Sequence, residues 1–451
     1  MRAPFVPHSD DEVASMLAFL GLSSLDDLFE AVPAALRIAG GLGLAPQKSE
    51  ADVRQRLETL GAANRPTGAG LVCFAGAGAY DHEIPAVVAA IAGRSEFVTA
   101  YTPYQPEVSQ GVLQAIFEYQ TMVARLSGLE VANGSLYDGA AALVEATNLA
   151  ALVTGGSLVL CSSGVNPRFR AVMTTLAAGS GHEIVEVPLA PGSGLTDWER
   201  AGPAPAAAVV VAVPNYLGCL DDVAGARSLA DDLGARLVVV FDPVAAGALR
   251  TPGSLGADVV VGEGQGLGTA LSFGGPYLGL FSCRLEDVRK LPGRLVGRGR
   301  DAAGRTAYVA TLRAREQDIR RERASSNVCT NQTLMAVAAA VQLGWLGTPG
   351  LREVALRSAR AARYAREALV ALEGVEPAAS GPYLREFALR LPLPATVVID
   401  RLVEDGFLAG VALGEGFVKT DFEEALLVAT TERRTRKEID SFCAALDKAI
   451  R

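Results

Sequence analysis

Lysine is scarce in this 451-residue sequence. Five lysines stand beside 36 arginines, at Lys48, Lys290, Lys419, Lys437 and Lys448. None of them lies where the predicted architecture would place a catalytic lysine. The chain therefore has no lysine at the position where covalent catalysis by an amine would be expected.

Cysteine and histidine are also few, and they form no ligand pattern. The six cysteines are widely scattered without a C-x-x-C pair, and the three histidines show no ligand spacing with them. The cysteines are Cys73, Cys161, Cys219, Cys283, Cys329 and Cys443. This distribution argues against a zinc site, any other metal site and a disulfide framework, and it predicts reduced, mostly buried thiols.

A net charge of −9 and a pI near 5.1 argue against non-specific nucleic-acid binding, which needs a basic face to neutralise phosphates. The start MRAPFVPHSDDEV lacks the apolar core of a secretory signal, and no window holds eighteen uninterrupted apolar residues. We expect a cytoplasmic protein that is not inserted in a membrane.

Half of the sequence is apolar, which is enough to bury a large core in two or three domains. Short, nearly all-apolar runs such as PAAAVVVAVP, ARLVVVFDP and ADVVVGEG alternate with helix-length polar stretches. Such strands are buried on both faces, so the fold class is α/β with a mostly parallel sheet. We predict a helical arm over residues 1–60, a large α/β domain over 61–329 and a small C-terminal α+β domain over 330–451.

The stretch RSEFVTAYTPYQPEVSQGVLQAIFEYQ, residues 94–120, combines aromatic, amide and acidic groups around two prolines, just before an amphipathic helix. Its candidate site residues are Tyr101, Thr102, Tyr104, Gln105 and Glu107. The alternative is a rigid turn between the two prolines, which would explain the prolines but not the polar and aromatic side chains. The polar and aromatic cluster favours a binding site, because ligand-contacting residues concentrate on loops.

Two further features are typical of ligand sites. Residues 133–140 open a predicted helix, so backbone N–H groups near Ser135 and Gly139 could hold a phosphate or carboxylate, although ordinary helix capping by Ser135 or Asp138 is the commoner explanation of such a segment. Asp242 ends a strand at the carboxyl edge of the predicted sheet, where it could pair with a heterocyclic nitrogen cation or merely cap a turn.

The glycine-rich run GEGQGLG, residues 262–268, follows another strand but does not complete a G-x-G-x-x-G dinucleotide motif. A tight turn with close backbone approach is the simpler interpretation. The arginine-rich run over residues 313–323 is most often a solvated helix face with local ion pairs. Its functional alternative is an anion contact or a seam between subunits.

Several long motifs together resemble the glycine cleavage system P-protein family. They are the 94–120 stretch, SLYDGAAALVEA, GADVVVGEGQGLG, SFGGPYLG, PGRLVGRGRD and REQDIRRERASSNVCTNQ. Within the family, the chain is similar to the alpha (N-terminal) subunit of the two-subunit bacterial form. The similarity spans nearly the whole chain.

This resemblance implies a type I pyridoxal-phosphate (PLP) transferase fold, like that of aspartate aminotransferase, with a large seven-stranded, mostly parallel sheet domain and a smaller C-terminal domain. It also implies that the assembled enzyme uses PLP to decarboxylate glycine and transfers the aminomethyl group to the lipoyl arm of H-protein. The implied partners are the homologous beta subunit, lipoylated H-protein and glycine.

A type I enzyme needs a lysine after the strand that corresponds to ADVVVGEG, and this sequence has Gln265, Gly266 and Leu267 there. The resemblance implies that the beta subunit carries that lysine and the covalent PLP. Ser135, Gly139 and Asp242 are then remnants of a cofactor site. We predict a catalytically silent isolated chain whose 101–107 cluster lines the glycine or lipoyl pocket across the subunit interface. The alternative is a scaffold that only stabilises the PLP-bearing homologue.

Overall fold

The structure is a computed structural model that describes residues 7–38, 42–68, 70–101, 103, 105–417 and 420–451. The chain forms two compact units, Met1–Arg65 and Pro66–Arg451. The predicted domain limits at residues 60 and 329 remain predictions.

The first unit is helical, as its Ser-led acidic segments indicate. Helix α1 (Asp10–Leu20) begins with a capping box, in which the Ser9 hydroxyl accepts from the Glu12 N–H and the Glu12 carboxylate accepts from the Ser9 N–H. The SSLDDLFEAV segment forms only a short 3-10 helix, and helix α2 spans Glu50–Gly61. No described residue of this unit is buried.

The second unit contains fifteen described strands and ten described α-helices. The strands are β1 (Val72–Cys73), β2 (Val131–Ala132), β3 (Leu158–Ser162), β4 (Glu183–Val187), β5 (Ala208–Val213), β6 (Arg236–Phe241), β7 (Val259–Glu263), β8 (Gly279–Cys283), β9 (Leu295–Arg300), β10 (Thr306–Thr311), β11 (Glu376–Pro377), β12 (Glu386–Arg390), β13 (Phe407–Leu408), β14 (Val411–Ala412) and β15 (Leu426–Ala429). The helices are α3 (Ala86–Ala92), α4 (Ser95–Val98), α5 (Gln110–Ser127), α6 (Gly139–Thr154), α7 (Pro167–Ser180), α8 (Val223–Leu233), α9 (Gln317–Arg320), α10 (Thr333–Val370), α11 (Ala395–Glu404) and α12 (Arg436–Ile450).

The largest sheet has seven strands in the order β2-β8-β7-β6-β5-β3-β4. Strands β7, β6, β5, β3 and β4 run parallel to one another, whereas β8 is antiparallel to both β7 and β2. The mostly parallel sheet predicted from the apolar runs is therefore confirmed. The order also brings the carboxyl ends of β5, β6 and β7 side by side, and such an edge is where open α/β sheets bind ligands.

Helices cover both faces of this sheet, which explains why its strands are apolar throughout. On one face, α6 and α7 contribute residues such as Leu143 and Met173 to the core. On the other face, α5, α8 and α10 contribute residues such as Tyr119, Ala226 and Ala339. This sandwich of helix, sheet and helix holds the carboxyl edge rigidly.

The C-terminal part has a separate four-stranded antiparallel sheet in the order β11-β12-β15-β14. The segment at β1, which we interpreted as the start of the large domain, pairs in parallel with β13 instead. The reason is packing, because Phe74 stacks on Phe442 at 4.1 Å between ring centroids in the C-terminal core. Residues 72–74 thus tie the beginning of this unit to its end.

The long helix α10 is interrupted at Gly347, whose backbone is not helical. Pro349 follows two residues after the break. This is the one described helix that is long and apolar enough to cross a membrane by length and composition. Its buried residues, such as Ala339 and Leu369, belong to two cores of the second unit, which accounts for its apolar character.

The arginine-rich run does not form the continuous helix face that its charge pattern favours. It consists of separate short turns, because Leu312 and Arg321 adopt positive φ angles of 55° and 53°. The Arg313 side chain pairs with Asp318 at 2.9 Å. The Arg315 guanidinium donates to the carbonyl oxygens of Leu291 and Gly293, so it braces the loop before β9.

Candidate functional site

The predicted ligand edge of the large sheet contains a cavity of about 80 Å³. Polar residues reach it from the ends of neighbouring strands, because β3, β5, β6 and β7 are parallel and end together. The lining includes Asn166, Asn215, Asp242, Glu263, Arg385 and Glu386, with the aromatic rings of Tyr80, Phe169 and Tyr216. This cavity is the candidate functional site.

Gln265, in the region where a type I enzyme needs its lysine, is 1% exposed and fully engaged with backbone groups. Its Oε1 accepts from the Tyr80 N–H at 2.8 Å. Its Nε2 donates to the carbonyl oxygens of Tyr80 at 3.1 Å and Thr269 at 2.8 Å. The side chain therefore ties two loops together and supplies no nucleophile.

The next two residues also have structural roles. A Cβ atom on Gly266 would lie 3.0 Å from the His82 ring, so the glycine permits the close approach of that ring. Leu267 is completely buried in the core of the large sheet. In the region of 265–267, no side chain can form a covalent bond with a carbonyl cofactor.

The predicted anion position at the start of α6 contains a carboxylate from the protein itself. Glu263, the last residue of β7, accepts from the Gly139 N–H through Oε2 at 2.9 Å. Its Oε1 accepts from the N–H groups of Gln265 at 2.9 Å and Leu278 at 3.0 Å. Asp138 caps the same helix by accepting from the Ala141 N–H. The positive end of the helix is thus compensated internally.

Burial raises the pKa of Glu263 to about 7, and the nearby Asp138 charge adds to the increase. The three backbone N–H donors act in the opposite direction but do not restore the ordinary value. Glu263 therefore changes charge near neutral pH.

Ser135 is directed elsewhere. Its hydroxyl accepts from the Asn331 side-chain amide at 3.0 Å and from the Gln332 N–H at 3.1 Å. It is buried and adopts φ 122°, a conformation that non-glycine residues rarely take. Two of the three predicted cofactor-site remnants lie at this site, because Gly139 donates to Glu263 and Asp242 lines the cavity. The third, Ser135, anchors the segment before α10 instead.

Asp242 follows β6 as predicted, and it already has a cationic partner. Its Oδ2 lies 2.6 Å from Nη2 of Arg385, which is 4% exposed. Its Oδ1 accepts from the Val244 N–H at 2.9 Å. The Arg385 guanidinium also lies 3.6 Å above the centre of the Tyr80 ring and contacts Nε2 of His82. The aspartate is therefore not available to pair with a heterocyclic nitrogen.

Glu386 also lines the cavity. Its Oε1 accepts from the Ala77 N–H at 2.6 Å, and its Oε2 accepts from the Tyr80 hydroxyl at 2.9 Å. Burial raises its pKa to about 7, because these neutral donors and the nearby Arg385 charge only partly offset desolvation. The segment that contains Ala77 and Tyr80 is held over the site by this carboxyl group.

These contacts decide whether the residues present fit pyridoxal phosphate. The position for an amine contains Gln265, the helix start holds the Glu263 carboxylate, and Asp242 is paired with Arg385. All three groups that would bind the cofactor are missing or engaged. The residues of this chain do not fit it.

The described residues of the 101–107 cluster do not line this cavity. Tyr101 is 81% exposed, and the side chains of Gln105 and Glu107 are also exposed. Thr102 and Tyr104 lie outside the described residues. The Gln110 side chain donates to the Tyr308 carbonyl oxygen and accepts from its N–H, which places the cluster beside the β9–β10 hairpin. Its predicted role stays a prediction.

Sequence reasoning missed most residues of the site, among them Tyr80, Glu263, Arg385 and Glu386. One sign was available for Glu263, because an acidic residue ends a strand that is otherwise apolar. Another was the Arg385-Glu386 pair at the start of the apolar strand β12. Neither sign identifies the partners, because Glu263 and Gly139 are 124 positions apart in the sequence.

The site can now be compared with known proteins. A family model described as "Glycine cleavage system P-protein" matches residues 3–446. A relative from Moorella thermoacetica is 46% identical over 443 residues, covering 98% of each chain, and is named "Probable glycine dehydrogenase (decarboxylating) subunit 1". A relative from Chlorobium limicola with the same name is 47% identical over 450 residues, covering 98% of this chain and 99% of the relative.

Solved structures agree with these relatives. A crystal structure of glycine decarboxylase (P-protein) of the glycine cleavage system, in inhibitor-bound form, matches with a TM-score of 0.90 and 42% identity, over 99% of this chain and 100% of that chain. A sphingosine-1-phosphate lyase of Burkholderia pseudomallei matches with a TM-score of 0.65 at 15% identity, over 93% and 94%. At that identity the lyase supports the fold alone.

The type I fold predicted from the resemblance is confirmed by these structures, which are PLP-dependent enzymes of that class. The family model and the relatives cover almost the whole chain at identities well above those of chance similarity. The chain belongs to the glycine cleavage system P-protein family.

Proposed function

We propose that this chain is the lysine-lacking subunit of a two-subunit glycine decarboxylase, and that its homologous partner carries PLP covalently. The observation that carries the proposal is Gln265, buried and bonded to backbone groups in the region where the fold requires a lysine. A chain without that amine needs a partner that has it. The relatives named subunit 1 support the existence of such a partner.

In this proposal the assembled enzyme decarboxylates glycine and passes the aminomethyl group to the lipoyl arm of H-protein. PLP, held by the partner, supplies the electron sink for loss of the carboxyl group. This chain performs no covalent step. In its own cofactor-like site the groups that would bind PLP are engaged by the Glu263 and Arg385 contacts, so we assign its contribution to catalysis to its surface.

The 101–107 cluster is the surface that we assign to the partner's active site. Tyr101, Gln105 and Glu107 are exposed although the neighbouring Pro103 is buried, so the polar groups project from an anchored turn. The Gln110 bonds to Tyr308 hold the start of α5 below this turn. An exposed phenol and an exposed carboxylate on an anchored turn suit contacts to a small zwitterion or to a lipoyl amide across an interface.

The first unit supports an obligate complex. Large apolar side chains are exposed there, among them Phe19, Leu20, Leu36, Leu42 and Leu44. Exposed apolar residues at this density are typical of surfaces that a partner covers. We expect an interface of more than about 2,000 Å² and an isolated subunit that self-associates. A stable, monodisperse monomer in light scattering would count against it.

A second function from a different class is a scaffold that stabilises the partner without contacting glycine or H-protein. The engaged cofactor-binding groups favour it, because a chain that binds no cofactor keeps such contacts for stability. The exposed 101–107 cluster favours the first proposal, since a scaffold does not require it. The two candidate functions differ in one expectation: Glu107 contributes to turnover in the first and not in the second.

The test locates the cofactor. The two chains are mixed with PLP and treated with borohydride, which makes a covalent lysine adduct permanent. They are then separated, and the mass of each is measured. The proposal predicts the pyridoxyl mass on the partner alone. An adduct on a lysine of this chain, at the stoichiometry of the partner's adduct, would contradict it.

A further inference from the structure

Space remains at the carboxyl edge even though its cofactor-binding groups are engaged. The cavity of about 80 Å³ is lined by Glu263, Arg385 and Glu386. One water occupies about 30 Å³ of liquid, so the space corresponds to a few water molecules or to a ligand of a few non-hydrogen atoms. Tyr80 and Phe169 limit its width.

The ionisable groups around this space carry an excess of negative charge once the two glutamates ionise, near and above pH 7. Three carboxyl groups line it, at Asp242, Glu263 and Glu386, but only one cation does. Arg385 is used by Asp242 at 2.6 Å. Across the described ranges, neither glutamate has a cationic side chain within ion-pair distance, and their hydrogen-bond donors are neutral N–H and O–H groups. An ammonium group would supply the missing positive charge.

A second, independent feature concerns the same cavity. The Nε–H of Arg385 has no acceptor among the described protein atoms, although this residue is only 4% exposed. Buried N–H donors of charged groups are costly to leave unpaired. A carboxylate placed in the cavity could accept from it.

We propose that the cavity binds a small zwitterionic amino acid of the size of glycine, without covalent chemistry. The ammonium lies against the carboxylates of Glu263 and Glu386, and the carboxylate accepts from Arg385 Nε. This gives the chain an amino-acid site separate from the PLP-bearing site of the partner. The inference goes beyond the proposed function and does not depend on it, since it uses only this chain's residues.

The test uses the full chain without its partner, so that the partner's substrate site is absent. Glycine is titrated calorimetrically at about pH 8, where groups with pKa values near 7 are mostly ionised. Saturable binding with one glycine per chain is expected. Leucine has the same charged groups with a larger side chain and should not bind. No glycine binding, or leucine binding as tight as glycine binding, would overturn the proposal.

Two variants test the assignment of residues. Glu386→Gln keeps the shape but removes one charge, and it should weaken glycine binding at least about tenfold. Ala212→Val takes space from the cavity lining without changing charge, and it should weaken binding as well. Glu145→Gln is the matched control, because Glu145 is an enclosed carboxyl in a different cavity.

Circular dichroism and thermal melting establish that each variant is folded. Folded Glu386→Gln and Ala212→Val variants that bind glycine as the parent chain does would overturn the site. Decarboxylation by the mixed subunits is measured in parallel. If the mixture is active and the lone chain binds no glycine, only this inference fails. If the lone chain binds glycine and the mixture is inactive, only the proposed function fails.

Discussion

The Arg385 guanidinium lies 2.6 Å from the Asp242 carboxylate, and both side chains are largely removed from solvent. The aspartate comes from the edge of the large sheet and the arginine from the residue before β12 of the C-terminal sheet. The pair therefore joins the seven-stranded sheet to the four-stranded C-terminal sheet, at the place where a PLP enzyme of this fold would bind its cofactor. In this chain the position stabilises the fold.

Removal of Arg385 should be costly for folding. An Arg385→Met variant leaves the Asp242 carboxylate buried without its cation, which typically costs about 3–5 kcal/mol. We expect a loss of this size in the free energy of unfolding, measured by urea denaturation. The double variant Asp242→Asn, Arg385→Met should recover part of it, because the uncompensated charge is gone. A single variant as stable as the parent would contradict this account of the pair.

Stability should depend on pH through Glu386. Its pKa is about 7 in the folded protein against an ordinary value of 4.5. Between these values the folded chain holds a proton that the unfolded chain has released, so this group lowers the free energy of unfolding as the pH rises from about 4.5 to about 7. The Glu386→Gln variant resembles the protonated form and lacks this loss.

Relative to the parent chain, the Glu386→Gln variant should therefore gain stability by about 1–3 kcal/mol between about pH 5 and about pH 8. Urea denaturation at a series of pH values measures the difference. The Glu118→Gln variant is the control, since Glu118 is an exposed carboxylate on α5. A difference between parent and Glu386→Gln that does not change with pH would show that the carboxyl titrates normally.

Restoring the lysine alone should not restore the cofactor. A Gln265→Lys variant loses the bonds to Tyr80 and Thr269, and the helix start still holds the Glu263 carboxylate. We expect lower stability, by about 1–3 kcal/mol, and no visible imine absorbance when PLP is added. Adding Glu263→Ser, which frees the Gly139 N–H, is the paired variant. Imine formation by Gln265→Lys alone, as strong as in the paired variant, would mean that Glu263 does not block the phosphate position.

The 101–107 cluster should affect turnover but not folding. Tyr101→Phe and Glu107→Gln change exposed groups, so the stability of the chain should move by less than about 0.5 kcal/mol. Activity of the mixed enzyme should fall at least about tenfold for Glu107→Gln if the carboxylate contacts substrate across the interface. Glu96→Gln is the control, because that exposed carboxylate pairs with Arg94 within the same chain. Full activity of both test variants would favour the scaffold.

Much of the fold could be predicted because its elements depend on local pattern. The apolar runs at β3, β5, β6 and β7 indicate a buried parallel sheet, and the Ser9 capping box marks the start of α1. Asp242 was located correctly, because the carboxyl end of a strand is a position that sequence alone defines. The interrupted run near Arg321 was not foreseen, since positive φ angles at non-glycine residues have no clear sequence pattern.

The state of the site could not be predicted from the sequence. The Glu263 carboxylate bonds to Gly139, and Glu386 bonds to Ala77, through contacts between segments far apart in the chain. Such contacts depend on how the sheets and loops pack, and the spacing of residues along the sequence does not predict them. The absence of a lysine near 265 was visible in the sequence. The groups that take the place of the cofactor contacts could be identified only from the three-dimensional structure.

The central claim is that catalysis needs both chains and that this one contributes without a cofactor of its own. The most direct measurement is exchange of labelled bicarbonate into the carboxyl group of glycine, with lipoylated H-protein present. It is made for this chain alone, for its lysine-bearing partner alone and for the mixture. The account predicts exchange in the mixture only. Exchange by the partner alone, unchanged when this chain is added, would contradict it.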